Sequence, residues 1–239
     1  MSIGVPSLLA AIGVLALGGV LQASTGMGTG ILVVPLLALI SLDLVPGPVI
    51  TASLALTVPM TWHGRRHIAH RELRPLIGGL LIGCVLGAYG LASLPRDRLG
   101  VIFAVVILFA AAITSLGFRI PFSRRNLAAA GLLAGIMGST SGAGAPPIAL
   151  LYQHREGAEL RPTLAFVYAV SSLLILLLLH LTGQYGGHEA LIGLLLVPGY
   201  LLGYLIATPL ARILDRGHAR IAVLVISTLS AIILLMRSV

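Results

Sequence analysis

The sequence predicts an all-α polytopic membrane protein built as two inverted-topology repeats. Each repeat is a broken or re-entrant helical hairpin plus three transmembrane helices, eight to ten helical membrane segments in all. Three observations predict it. Of 239 residues, 58% are apolar and only 9% charged, and the mean hydropathy is +1.07. A soluble domain carries roughly a quarter charged residues, so this chain cannot cover a water-facing surface. Several apolar runs approach or exceed the ~20 residues needed to cross about 30 Å of hydrocarbon, and two more are broken mid-way by glycine and small hydroxyl residues. The landmarks of the first half also recur in the second at one constant shift, 116 residues, which carries Gly26 onto Gly142.

In chain order, residues 3–42 form the first broken stretch, interrupted at Gln22-Ala23-Ser24-Thr25-Gly26-Met27-Gly28-Thr29-Gly30. No charged residue precedes Asp43, so this segment lacks the basic start of a secretory signal and reads as retained structure. Residues 45–62, 75–94 and 99–118 are the three spans that follow. Residues 127–152 form the second broken stretch, interrupted at Gly138-Ser139-Thr140-Ser141-Gly142-Ala143-Gly144-Ala145-Pro146-Pro147. Spans at 162–181, 190–211 and 221–236 complete the chain.

The shift that aligns the two breaks also carries Ser24 and Thr25 onto Thr140 and Ser141, Gly19 onto Gly135, Pro46 onto Pro162, and Gly83/Gly87 onto Gly199/Gly203. Register is held through tip, proline and GxxxG together, which divides the chain into a first repeat, 1–119, and a second, 120–239, in one transmembrane domain.

The net charge of +8 comes from fifteen arginines, no lysine and seven carboxylates. The arginines sit in short loops, where they set orientation and meet anionic headgroups, so nucleic acid is not expected as a partner. Twelve, including Arg65, Arg66, Arg71, Arg74, Arg124, Arg125 and Arg161, fall on one side; Arg96, Arg98 and Arg237 fall on the other. By the positive-inside rule the first side is cytoplasmic and both termini lie outside. The halves then start on opposite sides, which inverts one relative to the other. Cys84 is the only cysteine and reads as a small packing residue; Cys/His metal spacing is absent, and no metal or cofactor is expected.

Non-helical backbone at membrane depth is tolerated only where protein buries it or a polar cavity wets it. Equivalent breaks in two inverted halves therefore point to a transport site where they meet. Ser24, Thr25, Thr140 and Ser141 are good N-cap types for the second arms, and Pro146-Pro147 suits a first helical turn. Free N–H groups and two positive helix ends would then converge, an arrangement that attracts an anion. All seven carboxylates lie in loops or at span ends, leaving none to hold a cation centrally.

The expected substrate-binding residues are thus Gln22, Ser24, Thr25, Gly26, Met27, Gly28, Thr29 and Gly30, with Ser139, Thr140, Ser141, Gly142, Ala143 and Gly144. A second group comprises hydroxyls on the span after each hairpin: Thr51, Ser53 and Thr57, then Tyr168, Ser171 and Ser172. His63 and His180, near span ends, are the candidates for proton coupling, with an interface role as the plainer alternative. Gly78/Gly79/Gly83/Gly87 and Gly199/Gly203 read as helix-packing seams.

Gly-Met-Gly-Thr-Gly-Ile-Leu-Val-Val-Pro at 26–35 and Ser-Gly-Ala-Gly-Ala-Pro-Pro at 141–147 resemble the TauE/SafE family of sulfite exporters and sulfonate permeases, a likeness that covers essentially the whole chain. Thr29 interrupts the usual Gly-Gly run, and Pro146 replaces a third glycine. The resemblance implies a transporter of small sulfur-containing oxyanions such as sulfite, sulfoacetate or related organosulfonates in a prokaryotic inner membrane. The implied partners are the lipid bilayer, a small anionic substrate and a coupling ion, in a monomer or a homodimer.

Two other classes share some of these features. An anion channel would use the same binding chemistry without closure. An intramembrane serine protease would pair Ser141 with His180; it needs nucleophile and base within hydrogen-bond reach, and the first half repeats the tip where proteolysis needs only one.

Overall fold

A computed structural model describes residues 4–25, 30–95, 98–116, 120–152, 157–214 and 218–238. Among these residues all regular structure is helical: α1 (Val5–Thr25), α2 (Gly30–Ile40), α3 (Gly47–Gly64), α4 (His70–Ala92), α5 (Leu99–Leu116), α6 (Arg124–Ser141), α7 (Ala145–Tyr152), α8 (Gly157–Leu181), α9 (Gly187–Leu214) and α10 (His218–Ser238). Short 3-10 turns at Leu42–Leu44 and Arg65–His67 flank α3.

Four helices carry apolar stretches long enough to cross a membrane, at Val5–Ser24, His70–Ala92, Leu160–Leu181 and Gly187–Ala207. Their outward faces hold bare Leu17, Leu181 and Leu205, side chains that suit lipid rather than water. The protein is a polytopic membrane protein. The broken stretches differ in their two arms. The first arms, α1 and α6, have 21 and 18 residues; the second, α2 and α7, have 11 and 8. At 1.5 Å per residue the second arms reach only about 12–17 Å, half of the hydrocarbon.

Each broken stretch folds back on itself, with α1 against α2 and α6 against α7. At the base of the second hairpin the rings of Phe122 and Tyr152 meet edge to face, centroids 5.2 Å apart. Ser123 caps α6 by accepting from the Asn126 N–H at 3.2 Å.

The most extensive helix contacts lie between the halves: α4 packs on α6, and α1 on α9. Lipid offers no hydrophobic drive for this association, so close backbone approach supplies it. Gly79, Gly83 and Gly87 of α4 lie against Ala128, Leu132 and Ile136 of α6, and Gly131 and Gly135 answer against Leu76 and Leu80. On the other seam Gly199 and Gly203 of α9 lie against Ile12 and Ala16 of α1, and Gly19 against the Tyr200 carbonyl. In each case a Cβ would press on backbone. Cys84 is fully buried within the first seam, as a packing residue should be. Gly78 differs from the expectation for its run: nothing lies within 4 Å of where its Cβ would be, because it sits on the outer face of α4.

Helices α3 and α8 run antiparallel through the middle. Ser53 lies beside Ser172, and Gly64 against Pro162. The Ala69 N–H donates to Thr163 Oγ1 at 3.0 Å, tying the α3–α4 connection to α8. Gly100 at the start of α5 lies against Ser238 at the end of α10, so the C-terminal end shares a face with the α4–α5 connection.

Gly83→Leu is expected to lower the stability of the detergent-solubilised protein by at least about 1–3 kcal/mol, the usual cost of overpacking. Gly78→Leu should leave the melting temperature within about a degree or two. A thermal melt monitored by size-exclusion chromatography compares them directly.

Candidate functional site

The end of α6 is built by its own hydroxyls. Thr140 Oγ1 donates to the Ile136 carbonyl at 2.8 Å, and Ser141 Oγ to the Met137 carbonyl at 2.9 Å. Gly142 follows with φ +84° and donates its N–H to the Gly138 carbonyl at 2.8 Å, a glycine helix stop. Ser141 Oγ also accepts from the Ala143 N–H at 3.2 Å. These hydroxyls therefore finish the first arm; they do not cap the second, as their residue type had suggested. Both hydroxyls bond back to carbonyls of the preceding turn, and the Gly142 N–H is the donor that closes the Gly138 carbonyl of the last turn. Ser139 Oγ crosses to the Cys84 carbonyl at 3.0 Å and belongs to the α4–α6 seam.

The two breaks touch. A Cβ on Gly30, the first residue of α2, would lie 2.8 Å from the Gly142 carbonyl oxygen and 3.0 Å from the Ala143 Cα. Gly144 sits against Ala134 and Gly138 of α6, so its missing side chain is what lets the second hairpin close. Sequence reasoning had set glycines at the tips apart from packing glycines; Gly144 is both.

Beside this contact lies a cavity of about 70 Å³, room for a few waters or one small oxyanion. Gln22, Gly30, Gly138, Gly142, Gly144 and Ala145 border it from the two breaks. Ser53, Thr57, Tyr168, Ser171 and Ser172 border it from α3 and α8, and Val49, Ile50, Ile148 and Ile175 give it apolar walls. No charged side chain lines it among the described residues. The first residues of α2 and α7 stand at its edge. In α7 the two prolines leave Ala145 as the only N–H among the first three helical positions.

Most of the hydroxyls are committed as donors to their own helices. Ser53 Oγ donates to the Ile50 carbonyl at 2.7 Å, Thr57 Oγ1 to the Ser53 carbonyl at 3.0 Å, and Ser171 Oγ to the Tyr168 carbonyl at 3.0 Å. Ser172, buried, has only the long 3.4 Å contact with Ser53 Oγ. Its proton is the one most easily turned toward a guest. Ser24 is buried, with no hydrogen-bond partner for its hydroxyl, but it stands outside the cavity lining.

Other expected residues lie elsewhere. Gly26, Met27, Gly28, Thr29 and the Thr25 side chain lie outside what the structure describes. Ala143 is buried behind the tip and does not line the cavity. Thr51 is absent from the lining: its Oγ1 donates to the Gly47 carbonyl and accepts from the Tyr185 hydroxyl at 2.8 Å. Tyr185 packs over Gly47, where a Cβ would lie 2.7 Å from the ring, and Gly193 of α9 presses on Thr51. That end of α3 is packed shut.

His180 is exposed, its Nδ1 3.0 Å from the Tyr185 carbonyl; His63 is exposed at the far end of α3, its Nδ1 2.8 Å from the Pro59 carbonyl. Ser141 and His180 are each bonded elsewhere, Ser141 to the Met137 carbonyl and His180 to the Tyr185 carbonyl, and not to one another. Sequence reasoning missed Tyr200, a buried residue of α9 on the cavity wall; its only signal was an aromatic ring inside the Gly199–Gly203 seam.

The profile of the sulfite exporter TauE/SafE family matches residues 9–234, nearly the whole chain and both breaks. The chain belongs to the sulfite exporter TauE/SafE family. TauE/SafE proteins are transporters of sulfur-containing anions, which agrees with a small polar cavity free of fixed charge. Comparison with curated proteins and with solved structures finds no match.

Gly30→Ala is expected to force the two breaks apart, since both neighbours are backbone, and to lower stability more than Gly142→Ala. The latter costs about 1–2 kcal/mol for a left-handed non-glycine residue, with only ordinary contacts at 3.4 Å to Val34 and Val49. Melting temperatures of the two variants in detergent rank them.

Proposed function

We propose that the protein is a secondary transporter for a small sulfur-containing oxyanion, sulfite, sulfoacetate or a related organosulfonate, working by alternating access around the paired breaks. The observation that carries this reading is the contact of Gly30 with Gly142 and Ala143 at the wall of a charge-free polar cavity. Gln22, Ser172 and the helix starts at Gly30 and Ala145 supply donors and positive helix ends. A guest held this way is neutralised only in part, which favours release as well as capture.

The halves 1–119 and 120–239 act as inverted repeats in this proposal. The packing supports it. Thr25 and Ser141, where the first arms end, correspond under the 116-residue shift, and so do the two glycine seams: α1 on α9 becomes α6 on α4. In this reading the α3–α4 connection is cytoplasmic and both termini lie outside a prokaryotic inner membrane; the clustering of arginines supports that orientation.

A carrier fits better than a channel because the two ends of the central helices differ. Tyr185 and Gly193 pack the Gly47 end of α3, while a recess of about 530 Å³ opens at the Gly64 end. A rocking of one half against the other along the glycine seams would exchange these states.

In proteoliposomes the protein should exchange labelled sulfoacetate or sulfite in saturable counterflow. Gln22→Ala should raise KM about 10- to 100-fold, the loss of a hydrogen bond to a charged guest. Thermal stabilisation by short carboxylates with none by sulfite, thiosulfate, sulfoacetate or taurine would overturn the substrate class; linear, unsaturable flux would replace carrier by channel.

A further inference from the structure

The recess at the Gly64 end lies along the same helices as part of the central cavity's wall. The four helices that wall the recess, α1, α3, α8 and α9, also wall the cavity. Gln22 is followed by Ala23 on α1, Thr57 by Met60 and His63 on α3, and Tyr200 by Tyr204 on α9; Tyr168 of α8 is preceded by Arg161. Along α3, α8 and α9 these steps amount to about 6–10 Å at 1.5 Å per residue. The two spaces therefore lie in line.

Their electrostatics differ. The cavity has no charged lining residue; the recess has Arg161, half-buried. Arg161 makes no hydrogen bond or ion pair with any described residue, and no carboxylate lines the recess among them. Its neighbour across the recess, His63, donates Nδ1–H to the Pro59 carbonyl, which leaves Nε2 as the remaining polar atom of that ring. A guanidinium with no partner among the described residues, in a partly dehydrated recess, is matched by a planar set of oxyanion oxygens, which it can engage with two parallel N–H bonds.

We propose that this recess is a second anion site, a staging position in which Arg161 holds the oxyanion next to the uncharged central cavity. That the oxyanion is a sulfur acid rests on the function proposed above; the site itself rests on the recess, its alignment and a cation with no partner among the described residues. The division of labour follows from the physics. A fixed cation inside the cavity would hold a divalent or monovalent oxyanion too tightly for turnover, whereas one placed a turn or two away concentrates the anion and leaves the cavity weak.

The test uses thiol-reactive probes of opposite charge and does not depend on the natural substrate. In a Cys84→Ala background, Met60→Cys places a thiol in the recess, and Ser93→Cys places a reference thiol on the exposed far end of α4. The sulfonatoethyl and trimethylammonioethyl methanethiosulfonates are then compared. The sulfonate-to-ammonium rate ratio at Met60→Cys should exceed that at Ser93→Cys about tenfold. Arg161→Gln should remove the excess, and Arg161→Lys should retain much of it. Equal ratios at the two positions, or a ratio unmoved by Arg161→Gln, would overturn the site. Sulfoacetate counterflow in the same preparations reads the other proposal separately. If counterflow is absent while the ratio holds, the sulfur-anion reading falls and the recess site stands; if counterflow is present and the ratio fails, the reverse follows.

Discussion

Backbone N–H and C=O groups inside an apolar bundle must find partners within the protein, and where helix α6 ends short of α7 the chain has to supply them otherwise. There the solution is visible atom by atom. Thr140 and Ser141 return their protons to the carbonyls of the preceding turn, Gly142 adopts a left-handed conformation, and Ser141 accepts from Ala143. The Gly142 carbonyl faces the start of α2, and the contact of Gly30 with Gly142 places the two hairpins at a common wall.

That contact depends on the seams. Because hydrophobic burial gives little drive between helices in lipid, the halves are held by dispersion at short range, and only glycine allows the range to be short enough. Gly83 against Leu132 and Gly203 against Ala16 bring backbone onto backbone. Each seam joins the first helix of one half to the fourth of the other, so neither broken hairpin is positioned by its own half alone. A side chain inserted at a seam would therefore displace a tip some distance away, which couples packing to the site without any polar residue between them.

The helices, their order and the position of the second break were legible in the sequence, since hydropathy and helix-disfavouring residues are local properties; of the six spans expected, those on α4, α8 and α9 are matched by helices long and apolar enough to cross a membrane. The glycine seams were legible for Gly83/Gly87 and Gly199/Gly203 because four-residue spacing puts small residues on one helical face. Gly78 was misjudged for a related reason: in a helix apolar all round, the sequence does not mark which face meets protein and which meets lipid. Rotation also explains the site. Thr51 and Ser53 are two residues apart, but one bonds to Tyr185 at the closed end and the other borders the cavity. Tyr200 went unseen because nothing in an aliphatic helix says that its ring turns inward. The roles of Gly144 and Ser141 depend on how α6 ends, which residue type alone left ambiguous between cap and stop.

The commitment of the cavity hydroxyls bears on how such a site would work. Ser53, Thr57 and Ser171 each donate to a carbonyl of their own helix, so in this state they offer an anion lone pairs rather than protons. To bind it they must rotate and surrender those bonds, each worth about 1 kcal/mol net. The exchange costs little because the helix carbonyls keep their backbone partners. Binding energy is thus held down by an internal competitor at Ser53, Thr57 and Ser171, while the Ser172 hydroxyl has only its long contact with Ser53 to give up. A transporter needs affinity that is sufficient and no more, and a lining of self-satisfied hydroxyls around a cavity without charge is a physical route to it.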